Sequence, residues 1–521
     1  MPLLLEKTNR TVRPLGNLGV GDIVVGISGA RRSPAAAIAV GGRLLGFCEE
    51  ERITRVRGAG LRPGELPNDS VSAVLRLAGS SSEKVSAWVT GEEGVVLPAG
   101  LPRLRLDHHH CHAATAFLTS PFQDAAVIVC DRNTAPEVSV WRGHDGELVN
   151  EQWPWVGPGF ASLFTQCSEI FGFSAGHEHR FEALARLGGD TDPDRISRLF
   201  AYVDGTLRVD PDWQRAIVTW LNEGGIPWSL ENRARVAGAF QRSLGNVLVE
   251  FAENVRSQLG AERLCLGGGL FYNTYFNTVL ARSSLVDVFV APNPGNAGIA
   301  SGAALAVGQR RAQHNEASPF LGPGFELEEI KQTLDNCKLS YECLSEGQIV
   351  DGCVRDLMAG RLVGWFQGRM EWAHRALGNR SILANPLSPY VLDNLNVFLK
   401  QRERYRAYGL SVCEEEAGDY FIGPTRSAWM EYEYELKAPD RLRHAVPMGA
   451  RTLRVQTVNP EPSLFRSLHR AFADASGTGV LVNTSFNGFS EPIVSSPRDA
   501  IRVFYGTGLD VLILGRFVIR K

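Results

Sequence analysis

Short apolar runs alternate with turn residues over the first part of the chain, a pattern typical of strands joined in hairpins. Two sets of such runs stand about 100 residues apart, and each set precedes sequence with helical periodicity. The runs cover positions 22–28, 36–40 and 44–48, and again 125–131 and 138–143. Because the second set repeats the layout of the first, the pattern predicts duplicated halves of an α/β fold.

The middle of the chain is mostly helical in pattern before it returns to strand. Positions 160–260 have little strand signal, and apolar residues recur with helical spacing over 240–259. A short buried strand beginning at Leu264 then ends in Gly267, Gly268 and Gly269, and small residues predict a helix over 297–307. Glycines at a strand end let backbone amides approach a ligand closely, so this loop is a candidate binding element.

A linker is predicted over 310–324, where Ser-Pro and Gly-Pro-Gly sequences interrupt the periodic pattern. It separates a predicted domain of residues 1–315 from a second of residues 325–521. Helices are predicted there at 330–334 and 350–358, and strands at 362–366, 453–458, 479–483 and 511–514. The second domain is therefore expected to be mixed α/β.

Composition narrows the partners and the compartment. The 54 Lys and Arg against 57 Asp and Glu leave a net charge of −3, so no global field favours nucleic acid or an anionic membrane. Any anion must therefore bind in a local basic pocket.

Nine cysteines, an odd and sparse number, indicate a reducing, cytoplasmic setting, and the initial apolar run is too short for an export signal. The uncharged stretch 288–309 contains two prolines and predicts a strand, a loop and a helix, not a membrane span.

The densest chemical signal is the sequence DHHHCH at 107–112. His108 and His112 are four apart, so a helix would place both imidazoles on one face, as two ligands of one metal ion require. Asp131, at the end of the next predicted strand, could supply a carboxylate. The alternative is a polar helix start with solvated histidines.

A second signal is cationic and lies in the second domain. Arginines near glycines suit phosphate groups, because the guanidinium fork binds two oxygens at once. The cations are Arg369, Arg375 and Arg380, then Lys400, Arg402, Arg404 and Arg406. For the group at 400–406, a solvated helix face is an equally good interpretation. A loop with the sequence NTSFN at 483–487 adds hydroxyl and amide donors.

Three separated blocks resemble, in the right order, the O-carbamoyltransferases of the nodulation and antibiotic-tailoring group. The blocks are 107–117 (DHHHCHAATAF), 367–386 (QGRMEWAHRALGNRSILANP) and 480–494 (VLVNTSFNGFSEPIV), with weaker matches at 26–55 and 400–411. The resemblance implies a duplicated actin-like ATPase domain, similar to the tRNA threonylcarbamoyl-transfer enzyme, followed by a YrdC-like α/β domain. In such enzymes the second domain converts carbamoyl phosphate and ATP to carbamoyl adenylate. The first domain then passes the carbamoyl group to an acceptor hydroxyl.

The resemblance also implies roles for individual residues. In unit-by-unit terms, the catalytic cations of the second domain would be Arg375, Lys400 and Arg406, and the residues that bind carbamoyl phosphate and ATP would include Arg369, Arg454, Ser485 and Asn487. In the first domain, the loop that binds the adenosine end would include Gly267, Gly268 and Asn273. The metal ligands there would be His108, His112, Asp131 and Asn296. The metal would be Fe²⁺ or Zn²⁺, holding the phosphate of the adenylate, and Mg²⁺ would accompany ATP.

The sequence departs from the family pattern in the first domain. Arg32 stands where many members have the histidine that is the usual general base, and Asn296 replaces an aspartate ligand. The usual KxMGLA block reads RFEALA at 180–185, and Arg132 replaces a glycine after Asp131. Three explanations stay open. In the first, another residue acts as the general base, with Glu182, His177, His179 and His110 as the candidates. In the second, the acceptor is an amine that needs no strong base. In the third, the site is degenerate and the chain depends on a partner subunit.

The leading hypothesis is an ATP-dependent carbamoyltransferase acting on a hydroxyl, or an amine, of a small natural product in the cytoplasm. A tRNA threonylcarbamoyl-type transferase is a second interpretation, which the near-neutral charge disfavours. A catalytically altered homologue that regulates a partner carbamoyltransferase is the third. No nucleic acid or membrane partner is expected, and a homo-oligomer or a partner subunit stays open.

Overall fold

The structure is a computed structural model that describes residues 19, 21–62, 64–189, 193–223, 226–283, 287–307 and 318–521. The chain divides into two compact units, residues 1–323 (unit 1) and 324–521 (unit 2). The initial apolar run and most of the predicted linker lie outside the described residues.

The first half of unit 1 holds five described strands and three helices. They are β1 (Ile23–Ser28), β2 (Ala35–Val40), β3 (Arg43–Glu49), α1 (Glu50–Thr54), α2 (Asn68–Leu77), β4 (Ala87–Thr90), β5 (Arg103–Arg105) and α3 (His108–Leu118). The sheet order is β3-β2-β1-β4-β5. Strands β1 to β3 are antiparallel neighbours, whereas β4 runs parallel to β1 and β5 parallel to β4.

The second half of unit 1 repeats this arrangement. Its elements are β6 (Asp124–Cys130), β7 (Val138–His144), β8 (Glu147–Asn150), α4 (Phe160–Ile170), α5 (Glu178–Ala185), α6 (Pro193–Ser197), β9 (Phe200–Val203), β10 (Thr206–Val209), α7 (Trp213–Asn222), α8 (Leu230–Leu259), β11 (Arg263–Gly267), α9 (Thr274–Ser283), β12 (Asp287–Val290) and α10 (Ile299–Leu305). The order β12-β11-β6-β7-β8 again joins an antiparallel three-strand meander to two parallel strands. The predicted α/β class and the duplicated halves are confirmed.

Small residues set the packing between elements of unit 1. A Cβ added at Gly26 of β1 would lie 1.9 Å from the Ala300 carbonyl oxygen of α10. At Gly302 of α10, a Cβ would lie 1.9 Å from the Cys111 carbonyl oxygen of α3. The small-residue helix predicted at 297–307 therefore lies in backbone contact with both β1 and α3, which fixes α3 and its histidines.

Sequence reasoning missed the hairpin of β9 and β10 inside the segment read as helical. Its turn is Asp204-Gly205, with φ of 52° and 82°. An Asp-Gly pair that allows positive φ is a strong hairpin signal. The long helix after it is α8, which begins after the N-cap Ser229 and ends at Gly260 in the left-handed region. Its buried stripe includes Phe240, Leu244 and Phe251, as the predicted periodicity requires.

Unit 2 is one large mixed sheet with helices. Its elements are α11 (Leu327–Asn336), β13 (Glu342–Cys343), α12 (Glu346–Met358), β14 (Val363–Phe366), β15 (Arg380–Ala384), α13 (Val391–Asp393), β16 (Gly409–Cys413), α14 (Ala417–Tyr420), β17 (Phe421–Ile422), β18 (Glu433–Leu436), β19 (Thr452–Val458), α15 (Leu464–Ser476), β20 (Leu481–Ser485), α16 (Pro497–Gly506), β21 (Val511–Leu514) and β22 (Phe517–Arg520). The order is β13-β22-β21-β14-β15-β20-β16-β19-β18-β17. The predicted strands at 362–366, 453–458, 479–483 and 511–514 correspond to β14, β19, β20 and β21.

None of the helices within the described ranges is long and apolar enough to cross a membrane. The uncharged stretch after position 288 forms β12, a loop and α10, as predicted.

Candidate functional site

The histidine cluster of unit 1 is built by the start of one helix and the end of one strand. Asp107 is the N-cap of α3, and its carboxylate accepts a hydrogen bond of 2.8 Å from the His110 backbone amide. The cap fixes where the helix begins, so His108 and His112 lie one turn apart on the same face. Asp131 follows β6 directly and is buried.

These three side chains converge as a set of metal ligands would. His108 Nε2 lies 3.5 Å from Asp131 Oδ1, and His112 Nε2 lies 3.6 Å from Asp131 Oδ2. One ligand atom from each residue falls within 4.8 Å of the others. Both Nε2 atoms are buried without a hydrogen-bond partner. Two imidazoles and a carboxylate with unused donor atoms fit a divalent transition metal.

The charges of the cluster fit the same ligand. Burial disfavours the imidazolium of His108, but the facing Asp131 carboxylate outweighs it and raises the pKa of His108. Burial alone would raise the pKa of Asp131, but the two facing imidazoles hold that pKa well below its usual range. Asp131 is therefore an anion available to a cation, with two imidazoles beside it.

A second layer of contacts orients the cluster. His112 Nδ1 donates to the Pro294 carbonyl oxygen at 3.1 Å, which orients the ring so that Nε2 faces Asp131. The Asn133 amide group donates to Asp131 Oδ1 at 2.7 Å and to Asn296 Oδ1 at 3.4 Å. Asn296 is thus placed beside the cluster, as its predicted ligand role requires. Asn133 and Pro294 were missed by sequence reasoning.

The other two histidines of the motif have different partners. His109 is held between the hydroxyls of Ser139 and Thr134, at 2.8 and 2.7 Å. Burial, with the neighbouring His112, lowers the pKa of His109 to about 4, so it stays neutral. His110 stacks on Trp141 with ring centroids 5.3 Å apart. The polar, solvated helix start considered as the alternative is therefore wrong for His109 and His112, which are buried.

The glycine loop after β11 lies against the cluster. A Cβ at Gly267 would lie 2.9 Å from the His112 carbonyl oxygen, and one at Gly268 only 2.2 Å from the Cys130 carbonyl oxygen. Gly268, with φ of 100°, donates its amide to the Pro294 carbonyl oxygen at 2.8 Å. The glycines thus bring this loop into backbone contact with the elements that carry His112 and Asp131.

Asn273 has a bracing role in the structure. Its buried amide group donates to Gln241 at 2.9 Å and accepts from the Tyr275 backbone amide at 3.0 Å. Contact with adenosine stays a prediction for this residue.

The candidate general bases differ in their burial and in their hydrogen-bond partners. Glu182 is buried and bonded to Arg186 and to the Thr274 hydroxyl, so this carboxylate is engaged within the fold. His177 is half-buried, and its Nδ1 lies 2.9 Å from the Ser174 hydroxyl. Burial and nearby arginines, including Arg32, lower the pKa of His177, which leaves a neutral imidazole able to accept a proton.

Arg32 reaches the same segment. Its guanidinium donates to the Ala175 carbonyl oxygen at 3.3 Å. Arg132 pairs with Glu178 at 3.5 Å and thereby ties the residue after Asp131 to the start of α5. Arg32 and Arg132 therefore contact the segment that carries His177 and His179, whereas Glu182 belongs to the core.

In unit 2, three sequence blocks meet on three adjacent strands. The block 367–386 continues into β15, the block 480–494 includes β20, and the segment 400–411 continues into β16. Lys400 joins two of them. Its buried ammonium donates to the Ser485 carbonyl oxygen at 2.7 Å, to the Asn487 carbonyl oxygen at 2.8 Å and to Asn487 Oδ1 at 2.5 Å. The predicted grouping of Lys400 with Ser485 and Asn487 is present.

The arginines of unit 2 divide into ligand-facing candidates and structural residues. Arg369 and Arg375 are half-buried in the loop between β14 and β15, and burial lowers the pKa of Arg369. Arg454 is half-buried on β19. Arg380 is fully buried, stacks 3.6 Å above the Phe366 ring and donates to backbone carbonyls. Counting Arg380 among phosphate-binding cations was therefore wrong, because its guanidinium is used within the fold.

The segment 400–406 does not form the solvated helix face considered as an alternative. A π-helical turn, Asn394–Leu399, ends before it. Arg404 is 74% exposed and pairs with Asp393 at 3.2 Å, whereas the Arg406 side chain is largely covered and lies 3.8 Å from Glu403. Of the four cations in the segment, only Arg404 is exposed.

Glu371 is a further residue that sequence reasoning missed. Its buried Oε1 accepts hydrogen bonds from the backbone amides of Leu377, Asn379 and Arg380, at 2.9 to 3.0 Å. One carboxylate thus shapes the loop that carries Arg375.

Comparison with known proteins identifies relatives of both units. A family model described as the carbamoyltransferase N-terminus matches residues 100–305, and one described as the carbamoyltransferase C-terminus matches residues 354–521. The nodulation protein NolO of Bradyrhizobium diazoefficiens is 31% identical, over 80% of this chain and 79% of its own. The 3'-hydroxymethylcephem-O-carbamoyltransferase of Amycolatopsis lactamdurans is 32% identical, over 51% of this chain and 50% of its own. HypF of T. kodakarensis is similar in structure, with a TM-score of 0.36 and 12% identity, over 56% of this chain and 48% of its own. The chain belongs to the carbamoyltransferase family.

Proposed function

We propose that the protein forms carbamoyl adenylate from carbamoyl phosphate and ATP in unit 2. Unit 1 then transfers the carbamoyl group to a hydroxyl, or an amine, of a small natural product. The observation that carries the proposal is the meeting of three family blocks at β15, β20 and β16, with Lys400 bonded to the Ser485–Asn487 loop. Cations at a partly buried site stabilise phosphate charge more strongly than they would in water.

The reaction balances in three steps. Water cleaves carbamoyl phosphate to carbamate and phosphate, and a carbamate oxygen then attacks the α-phosphorus of ATP and releases pyrophosphate. The acceptor oxygen or nitrogen attacks the carbonyl carbon of the adenylate, AMP leaves, and the acceptor proton passes to a base. Arg369, Arg375, Lys400, Arg406 and Arg454 would neutralise the phosphate oxygens of the first two steps.

In unit 1, His108, His112, Asp131 and Asn296 would hold a divalent metal, Fe²⁺ or Zn²⁺. When bound, such an ion supplies Lewis-acid stabilisation of phosphate charge. The chain itself supplies the orientation of His112 through Pro294 and of Asp131 through Asn133. His177 is the base candidate best placed to accept the acceptor proton, because it is neutral and partly exposed.

The cysteines and the net charge of the chain bear on its compartment and its partners. All nine cysteines are free thiols, which supports a reducing, cytoplasmic setting. A small acceptor in secondary metabolism is favoured over tRNA by the net charge of −3. Oligomerisation or a partner subunit is not required by the chemistry proposed.

The test is an assay of the purified chain with ATP and carbamoyl phosphate, followed for pyrophosphate and carbamoyl adenylate. We expect adenylate in the wild type and a loss of at least 100-fold with Arg375→Ala, while Arg404→Ala, the exposed control, keeps the wild-type rate. Absence of pyrophosphate under every condition would contradict the proposal and favour the interpretation that the chain is a regulatory homologue. Threonylcarbamoyl transfer to tRNA would favour the second candidate.

A further inference from the structure

Two arginines of unit 1 are not used by the function proposed above. Arg32 lies in the loop between β1 and β2, Arg57 lies in the loop after α1, and both residues are exposed. Among the residues that the structure describes, neither guanidinium takes part in an ion pair. In a chain whose net charge is −3, such cations are a local feature that could attract an anion.

Backbone contacts bring the loops of the two arginines together. The Ser33 backbone amide donates to the Ala59 carbonyl oxygen at 3.2 Å. A Cβ added at Gly58 would lie 3.3 Å from Nε and from Nη2 of Arg32. The guanidinium of Arg32 therefore packs against the residue that follows Arg57.

A third segment, from the second half of unit 1, contacts the same guanidinium. Arg32 Nη1 donates to the Ala175 carbonyl oxygen at 3.3 Å, and a Cβ added at Gly176 would lie 1.7 Å from Nη1. Glycine therefore leaves the space that the charged group occupies. Because Arg32 is held between Gly58 and Gly176, its charge has a defined position next to His177, the base candidate of the proposed function.

The charges that act on His177 are mostly positive. Burial lowers the pKa of His177, and three like charges lower it further, those of Arg180, Arg57 and Arg32. The Glu178 carboxylate opposes them, but Arg132 lies 3.5 Å from it and offsets part of its charge. An anion bound here would be attracted by the arginines and would raise the pKa of His177 toward its usual range.

We propose that Arg32 and Arg57 bind an oxyanion of the acceptor: a carboxylate, phosphate or sulfate group. Two guanidinium groups can each present paired N–H donors to the oxygens of such a group. The acceptor would then be an anionic small molecule. This assignment rests on the proposed function, in which His177 accepts the acceptor proton. The other source of an oxyanion is the phosphate of the adenylate.

The test detects the anion at His177 itself, with inorganic sulfate as the probe. The full chain is labelled with ¹³C at the imidazole Cε1 of histidine, and the His177 signal is identified by its loss in His177→Gln. Its pH titration is followed while sodium sulfate replaces sodium chloride at constant ionic strength, which keeps the screening equal. We expect sulfate to raise the midpoint of the His177 titration by about 0.5 pH unit.

Two variants remove one cation each. Arg32→Gln and Arg57→Gln should each increase about fivefold or more the sulfate concentration that gives half of the shift. Arg57 is exposed and has no ion pair within the described residues, so its replacement should leave the fold intact even if Arg32→Gln disturbs the loops. The matched control is Arg62→Gln, whose side chain is 86% exposed and lies 3.8 Å from Glu65, and which should change the response at most about twofold.

AMP, which carries the phosphate of the adenylate, distinguishes the two sources of an oxyanion. The sulfate titration is repeated with saturating AMP, whose binding is followed separately by thermal unfolding. A site for the acceptor should keep its sulfate response within about twofold, because the two ligands bind at different places. Loss of the response in AMP would assign the arginines to the adenylate phosphate and overturn the assignment to the acceptor.

Two further results would overturn the anion site itself. One is a His177 titration that does not respond to sulfate, and the other is a response that both arginine variants leave unchanged. Neither result depends on turnover. If sulfate acted through Arg57 but the chain released no pyrophosphate, the proposed function would fail while the anion site stood.

Discussion

The two candidate sites have opposite electrostatic design. In unit 1, the imidazoles of His108 and His112 face the Asp131 carboxylate, with Nε2 to Oδ distances of 3.5 and 3.6 Å. In unit 2, the Lys400 ammonium donates to three uncharged oxygens, and Arg402 and Arg406 lie close enough to repel each other. The first site presents a buried carboxylate that can bind a cation, whereas the second presents cations that can bind an anion, so each is suited to a different step of one reaction.

The prediction with the largest expected effect removes one metal ligand from the unit 1 site and leaves the unit 2 site intact. His112→Ala should lower metal affinity more than 100-fold, because it removes a buried ligand, and carbamoyl transfer by about 1,000-fold. Formation of carbamoyl adenylate in unit 2 should stay within twofold of the wild type. Bound metal is measured by mass spectrometry and product by chromatography, with His144→Ala, exposed on β7, as the control. Unchanged transfer in the metal-free variant would show that the metal assignment is wrong.

The converse change addresses the second site. Lys400→Met keeps the length of the side chain but removes the charge and its three hydrogen bonds. We expect pyrophosphate release to fall about 100-fold, because the site loses a nearby positive charge and the bonds that hold the Ser485–Asn487 loop, while bound metal stays at the wild-type level. A variant that also loses its metal would contradict the independence of the two sites.

A buried histidine of unit 2 makes the stability of the folded chain depend on pH. His469 of unit 2 is fully buried and donates from Nδ1 to the Gly479 carbonyl oxygen at 2.7 Å. Burial lowers its pKa from 6.5 to about 4. The unfolded chain therefore takes up a proton first, so stability is complete above pH 6.5 and is lost as the pH falls toward 4. The loss at pH 4.5 is about 2–3 kcal/mol.

The measurement is denaturant unfolding of the full chain at pH 7 and pH 4.5. His469→Asn should be less stable than the wild type at pH 7, since it loses ring packing, but its decline between the two pH values should be smaller by that amount. An equal decline in both proteins would assign the acid sensitivity to other groups, such as the neutral His109 of unit 1.

The smallest effect comes from restoring a charge to the first site. Asn296→Asp places a second carboxylate near Asp131, which Asn133 already joins to Asn296. Affinity for a divalent metal should rise about tenfold, because the added charge attracts the cation. Competition with a chelator measures the change. A decrease in affinity would show that Asn296 does not face the metal.

The sequence predicts the repeating elements of this fold better than the contacts of its sites. The strands and the duplication are local patterns, and so is the spacing of His108 and His112. The bond from His112 to the Pro294 carbonyl oxygen joins positions 182 apart, and nothing in the local pattern around either residue signals it.

Charged residues show the same limit. Arg380 and Glu182 were both candidates for chemistry by residue type, yet each is engaged within the core. Residue type and spacing identify groups capable of chemistry, whereas packing decides which of them are used.

One carbonyl group has a consequence for regulation. The Pro294 oxygen accepts hydrogen bonds from both His112 and Gly268, which belong to the proposed metal site and the proposed adenosine loop. If binding at either site shifts this shared acceptor, the two binding events are linked, and the linkage must be equal in both directions. If the metal tightens binding of the adenylate by some factor, the adenylate tightens retention of the metal by the same factor. The enzyme would then hold its metal most firmly while it carries its activated intermediate.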